Sequence, residues 1–399
     1  MMTPFRILCA TGFLAIFSST ISKSPVLPLF AAHLGAGPSG IGLIAAVSAF
    51  TGVIASIPAG IMADRVGKRR MLVFSAVVFS SAPVLYLFVS DIAQLAVVRL
   101  YHGFATAIFL PVAMALVSDL FAAERGEKMG WFSTSTLLGR FVAPMAGGSI
   151  IGALSFNPDL PFKVVYAVCA AAGLITLLFA VRIPAGTGGQ RQKRTWKETG
   201  EIFRGVISIR TIVITSGVEA AILFAYGTFE TFLPLYSIEA GLSAYEVGIF
   251  LSSQVITLAL TKPVMGRFSD RHGRRPQILF GALAGAVCIG GFSVLGSFIP
   301  FLLLSILFGL SLSIVTSATS ALIADVSREE GRGSAMGVLG SIMDLGHTTG
   351  PLVSGIAATY LGLSKAFIGA SVVVATAAAI FAASAGRSDK HHTVEGGRF

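Results

Sequence analysis

Apolar residues run along the chain in long blocks separated by short polar connections. A helix crossing the hydrocarbon core of a bilayer needs about 20 apolar residues. Twelve stretches meet that requirement: 5–30, 39–62, 71–90, 93–117, 129–153, 163–183, 209–236, 243–266, 277–296, 299–325, 335–360 and 363–385. The first is too long for the apolar core of a signal peptide and runs on through Pro25 and Pro28, so it is expected to remain as a membrane helix. The pattern predicts an all-α polytopic membrane protein of twelve transmembrane helices.

Composition agrees and removes other classes. Of 399 residues 54% are hydrophobic and 12% charged, with 45 glycines and 30 phenylalanines. A soluble protein carries about 25% charged residues, so a charged skin for a soluble enzyme of this size is lacking, and apolar content is far too high for disorder. The net charge of +10 would suit nucleic acid if it lay on one surface. It falls instead in short runs between apolar blocks, so no nucleic-acid partner is expected. Cys9, Cys169 and Cys288 each lie inside an apolar stretch, far apart. They suit packing rather than a disulfide or metal framework, and no metal site is expected.

The basic residues orient the chain. Placing the N-terminus inside puts 23 of the 29 lysines and arginines in inner segments and two, Lys163 and Lys365, in outer loops. Lys23, Arg99, Arg140 and Lys262 fall within spans. This asymmetry predicts a cell-membrane protein, an inner membrane where there are two, with both termini cytoplasmic. Membrane lipid is its expected neighbour, and a monomer its expected state. The polar stretch GTGGQRQKRTWKETGEIFR, from Gly186, splits the spans six and six. The domains expected are 1–185 and 209–385, a linker at 186–208 and a cytoplasmic tail at 386–399.

The two halves repeat each other at an offset near 206 residues. LPLF at 27–30 returns as LPLY at 233–236, GIMADRVGKRR from Gly60 as GRFSDRHGRR from Gly266, and ALVSD at 115–119 as ALIAD at 321–325. Met129-Gly130 returns as Met336-Gly337, and Gly139-Arg140 as Gly346-His347. Parallel six-helix halves of this kind point to a transporter with its site between them near the midplane. The stretch Gly60-x-x-x-Asp64-Arg65-x-Gly67-Lys68-Arg69-Arg70 resembles the loop signature of the major facilitator superfamily, and the likeness covers essentially the whole chain.

That resemblance implies a cytoplasmic latch that holds the inner side closed when the outer side is open. Gly60 would allow close helix approach, Gly67 a tight turn, and Asp64 would face the N-terminus of span 11. Arg65, Lys68 and Arg69 lie beside it, and Arg65 and Lys68 can reach Asp119. Asp270, Arg271, Arg274 and Asp325 repeat the set. Positive-inside charge and a turn would account for the arginines, but not for an Asp recurring at one spacing in both halves.

Three further stretches resemble the twelve-helix drug:proton antiporter branch. Pro25-Val26-Leu27-Pro28-Leu29-Phe30 matches its span 1 motif. Leu95-x-x-x-Arg99-x-x-His102-Gly103 matches its span 4 motif, with His102 where Gln is usual. Gly139-x-x-x-Ala143-Pro144-x-x-Gly147-Gly148 matches its span 5 motif, with Ala143 for a glycine, and Gly346-x-x-x-Gly350-Pro351 is the second-half echo. Small residues with proline allow close, kinked packing suited to the seam between halves.

Ionisable residues within a span are costly and point to function. In the implied fold spans 1, 4, 7 and 10 line the cavity. Glu219 near the middle of span 7 and Glu230 further out are the leading proton carriers, with Asp344 third and Arg99 as the fixed charge that can hold or release a carboxylate. Lys23 and Arg140 are candidates to pair with Glu230 or to bind an anionic group of the substrate, and His102 and His347 are further cavity candidates. His102 is expected to be packed and hydrogen-bonded, and Lys262 to snorkel. Buried bases outnumber buried acids, which points away from a strongly cationic substrate.

The expected function is proton-coupled secondary transport, an exporter of small amphipathic compounds or metabolites working by alternating access. Its partners would be a small-molecule substrate and protons, with no cofactor beyond the proton gradient. A sugar, organic-anion or metallophore permease, or a non-transporting sensor or scaffold, are the alternatives. No nucleophile–base set or Walker sequence supports an enzyme or ATP drive.

Overall fold

The computed structural model describes residues 3–184, 208–327 and 332–392. The linker expected at 186–208 lies outside these except for Ser208, as do Arg328 and the tail beyond residue 392, and for Gly60 and Asp64 only the helical backbone is described. The helices are α1 (Pro4–Ile21), α2 (Val26–His33), α3 (Pro38–Val66), α4 (Lys68–Tyr86), α5 (Ile92–Leu120), α6 (Arg125–Ala153) and α7 (Leu160–Ala180) in the first half. The second half holds α8 (Arg210–Glu239), α9 (Ala244–His272), α10 (Arg274–Gly291), α11 (Phe298–Val326), α12 (Arg332–Leu361) and α13 (Leu363–His392).

These thirteen helices make twelve spans because the first is broken. Pro25 has no N–H to give and disfavours helix at the residue before it. The chain therefore leaves α1 after Ile21 and resumes helix at Val26, with Lys23 in the gap. The last helix runs past its expected end at 385 to His392. Among the described residues, eight of the spans are long and apolar enough to cross a membrane by length and hydropathy. The other four are α3, α4, α10 and α12, and each packs in the place its counterpart takes in the other half: α9 for α3, α6 for α12, and α4 and α10 for each other.

The packing repeats with the sequence. In the first half α1 lies against α6 and α7, α4 against α7, and α3 against α5; in the second, α8 lies against α12 and α13, α10 against α13, and α9 against α11. Glycines with positive φ recur at the same offset: Gly35 and Gly241 after the first span of each half, Gly67 and Gly273 at the turn after the second. Only glycine adopts such angles cheaply, so the backbone turns are duplicated along with the helices.

The halves meet chiefly along two crossings, α3 with α12 and α6 with α9. At each, glycine brings backbone onto backbone. A Cβ on Gly148 would strike the Ala244 carbonyl and one on Gly248 would lie 2.7 Å from the Pro144 carbonyl oxygen. In the other crossing, a Cβ on Gly42 would strike the Pro351 carbonyl and one on Gly355 would lie 2.6 Å from that of Pro38. Met145 N donates to Ser252 Oγ at 3.1 Å, Ser252 Oγ to Phe141 O at 2.8 Å, and Ser39 N to Thr359 Oγ1 at 3.0 Å.

These contacts gather toward the end of the bundle away from the termini. Nearer the other end, which carries the arginine- and lysine-rich turns and is called the basic end below, the same four helices stand free. A Cβ on Gly52, Gly130, Gly266 or Gly340 would meet nothing within 4 Å. The two halves thus close at the far end and diverge toward the basic end.

Candidate functional site

Where the seam closes, three spans bring charges together. Lys23 Nζ, in the break between α1 and α2, lies 2.7 Å from Glu230 Oε2 on α8. His347 Nε2 on α12 lies 3.2 Å from the same oxygen. The Lys23 side chain is 25% exposed and that of Glu230 11%, so the pair is largely withdrawn from water yet borders the opening. The repeat offset sets Glu230 opposite Ser24, the neighbour of Lys23, which places the pair close to the pseudo-twofold axis. This pair is a bond between the two halves.

The wall beside it is aromatic. Tyr226 stacks on His347 with centroids 5.4 Å apart and planes 19° from parallel. Residues 219, 226 and 230 are seven and four apart, so Glu219, Tyr226 and Glu230 form one stripe along α8. Sequence reading passed over Tyr226, though that spacing would have found it. Arg140 stands exposed on α6, within electrostatic reach of Lys23 and Tyr226. Asp344, one turn before His347, is also exposed and within reach of its ring.

Glu219 lies apart from this cluster. It is fully buried, about 16 Å along α8 from Glu230 at 1.5 Å per residue. Its Oε2 meets the Thr319 hydroxyl of α11 and its Oε1 has no hydrogen-bond partner among the described residues. Thr319 also donates to Val315 O at 2.9 Å. Lys262, exposed on α9, is within electrostatic reach of Glu219.

Arg99 and His102 belong to the interior of the first half. Arg99 is 3% exposed, and its Nη1 donates to the Tyr86 hydroxyl at 3.4 Å. Tyr86 stacks on Tyr166 at 4.3 Å and 2°. His102 packs edge-on against Phe79 and Tyr86 as expected, but neither ring nitrogen finds a partner among the described residues, so the expected hydrogen bond is absent. The pairing of Arg99 with a carboxylate is likewise replaced by a tyrosine. A cavity of about 330 Å3 opens at the far end above these rings, edged by the His33–Asp159 pair at 2.8 Å. Its lining is wholly of the first half and does not reach the seam.

The motif residues at the basic end tie helices within each half. Lys68 pairs with Asp119, joining α4 to α5. Arg69 donates to Val181 O at 2.6 Å. At the matching place Arg274 pairs with both Asp270 and, at 3.1 Å, Asp325, joining α10 to α9 and α11. Arg65 and Arg271 are exposed. Of the span 5 motif, Gly139 lies against the Phe13 carbonyl of α1, and its counterpart Gly346 against the Ala220 carbonyl of α8. Gly147 faces Val26 and Ile21, while Gly148, Pro144 and Pro351 lie in the seam and Gly350 against Phe224 of α8. Among the described residues no three His, Cys, Asp or Glu side chains are grouped to hold a metal ion.

The Major Facilitator Superfamily sequence model matches residues 8–254 and 220–398, two overlapping matches that take in nearly the whole chain. The chain belongs to the major facilitator superfamily. It is a multi-pass membrane transporter with the twelve-helix fold of that superfamily. It is 24% identical over 379 residues to an uncharacterized MFS-type transporter of Methanocaldococcus jannaschii, covering 92% of both chains. It is 22% identical over 359 residues to Multidrug resistance protein 2 of Bacillus subtilis, covering 89% of this chain and 88% of the relative. Among solved structures, a mutant of the nucleoside transporter NupG superposes with a TM-score of 0.84 at 14% identity, over 96% of this chain and 99% of that one. At that identity the likeness establishes the fold alone.

Proposed function

We propose that this superfamily member is a proton-coupled exporter of small amphipathic compounds, working by alternating access across the cell membrane with both termini in the cytoplasm. The observation that carries the reading is the Lys23–Glu230 pair, a charged bond between the two halves at the closed end of their seam. A proton on Glu230 cancels its attraction for Lys23 and loosens one link between the halves, so protonation and helix movement are coupled at one atom. The opening at the basic end then corresponds to an inward-facing state, consistent with the placement of the basic residues. Efflux rather than uptake is supported by relatives bearing the name multidrug resistance protein.

Glu219 is the second proton carrier in this reading. Thr319 has one hydroxyl proton and two acceptors, the Val315 carbonyl and the Glu219 carboxyl. A proton on Glu219 completes both bonds, which suits a group that alternates between protonated and ionised forms. The pairs Lys68–Asp119 and Arg274–Asp325 brace each half as a rigid body, the property a rocking mechanism needs.

The test is substrate-dependent proton movement in proteoliposomes holding an imposed pH gradient, across a panel of lipophilic cations, organic anions and sugars. Proton flux lost in Glu230→Gln or Glu219→Gln supports coupling at that carboxyl. Flux unaffected by both refutes it, and a correctly folded protein that moves nothing favours a sensor or scaffold.

A further inference from the structure

Among the described residues, the exposed charges at the opening that no ion pair uses are one of each sign, Arg140 and Asp344, and of the two only Arg140 is within electrostatic reach of both Lys23 and Tyr226. Glu230 commits one oxygen to both Lys23 and His347. Glu219 is buried away from the opening and tied to Thr319. Arg140, in contrast, is exposed on α6 and within electrostatic reach of Lys23 and Tyr226. The ion pairs of the described residues use Lys23, His33, Lys68, Lys128, Arg274 and His347, and none of them uses Arg140. Asp344, one turn before His347 on α12, is exposed and within electrostatic reach of the His347 ring.

A guanidinium stays charged and presents a rigid fork of donors. A carboxylate matches that fork through two parallel, charge-assisted bonds. Beside it the stacked rings of Tyr226 and His347 form a flat wall that suits an apolar or aromatic body. We infer that the molecule this site takes is an organic carboxylate: its anionic group is held by Arg140 and its apolar body lies against Tyr226 and His347. The inference rests on the transporter reading and names its substrate class. The sequence left Lys23 and Arg140 as equal candidates for Glu230 and for an anion; the geometry divides the roles, with Lys23 given to Glu230 and Arg140 to the substrate.

The experiment uses the full chain in lipid nanodiscs and calorimetric titration with three matched probes: 4-phenylbutyrate, its neutral amide and 4-phenylbutylamine. The carboxylate is expected to bind at least tenfold more tightly than the other two. Arg140→Gln should weaken it about tenfold to hundredfold, the span expected for loss of a charged hydrogen-bonded partner. Arg140→Lys, which keeps the charge and loses the fork, should recover part of that loss and guards against a folding defect in the glutamine variant. Equal binding of the amide or amine, no binding of any probe, or an unchanged affinity in Arg140→Gln overturns the inference. Counterflow of the same compounds in proteoliposomes separates the two readings. Amine flux independent of Arg140 keeps the transporter and overturns the anion. Arg140-dependent binding without any flux does the reverse.

Discussion

Placing a methyl group at Gly148 tests whether the glycine crossings set the conformational balance. In Gly148→Ala the new Cβ strikes the Ala244 carbonyl and comes 3.0 Å from the Gly248 Cα. Both obstacles are backbone and cannot rotate aside, so the clash is relieved only by parting α6 from α9. Overpacking of this kind costs about 1–3 kcal/mol. The cost falls on the far-end-closed arrangement and is absent once the helices separate there. The equilibrium between arrangements should therefore shift about 5- to 150-fold toward the far-end-open state. Gly130→Ala is the control: it lies on the same helix, gains the same helix propensity of about 1 kcal/mol, and meets nothing within 4 Å. The assay is the distance distribution between spin labels on Phe156→Cys and Tyr360→Cys, two exposed far-end positions in opposite halves, with the three native cysteines replaced. Gly148→Ala should move weight to longer distances and Gly130→Ala should not. A distribution unchanged by Gly148→Ala, or shifted equally by both, would refute the reasoning.

Three further outcomes are expected. Glu230→Gln leaves Lys23 without its counter-charge at a cost of about 3 kcal/mol, the low end for a buried pair because Lys23 is a quarter exposed; Lys23→Met combined with Glu230→Met should recover most of the melting temperature in detergent but none of the proton coupling, and a double variant as unstable as the single one would contradict this. Asp119→Asn should lower the melting temperature more than Asp325→Asn, because Asp119 is 20% exposed against 56% for Asp325 and Arg274 keeps Asp270 when Asp325 is neutralised; the reverse order would remove the argument from burial. Glu219→Gln should leave stability within about 1 kcal/mol, since the amide still bonds Thr319, while proton flux falls; a large drop in melting temperature would mark Glu219 as a structural anion paired with Lys262 instead.

Much of the architecture could be read from the chain because its cause is local. A span announces itself by twenty apolar residues in a row, and a duplicated half by recurring turns such as those at Gly67 and Gly273. The close packing expected of Gly139 and Gly148 was legible too, since small residues at helical spacing have few other uses in a bilayer. Their partners were not. Gly148 meets Gly248 across a seam whose geometry depends on how two bundles dock, and no linear spacing encodes that; for Glu230 the ionisable residues within spans left Lys23 and Arg140 as candidate partners, and the docking selects Lys23. The same limit governed Arg99, where the expected carboxylate proved to be the hydroxyl of Tyr86. The basic-end motif lay between these extremes. Its pairings Lys68–Asp119 and Arg274–Asp325 followed from the repeat, because both partners belong to one half and adjacent helices.

The position of the glycine crossings also sets a mechanical limit. From Gly148 the α6 backbone runs 23 residues to Arg125 at the basic end but only five to Ala153 at the other. At 1.5 Å per residue these are lever arms of about 35 Å and about 8 Å. Gly42 divides α3 in nearly the same unequal way, four residues from Pro38 and 24 from Val66. A tilt of about 10° around such fulcrums swings the basic tips by about 6 Å, roughly the width of an aromatic ring, but moves the short ends by little more than 1 Å. Rocking about a fixed pivot at these crossings therefore serves one face only. To admit a molecule from the opposite face the fulcrum itself must travel down the helices, and the glycine contacts must come apart rather than merely turn.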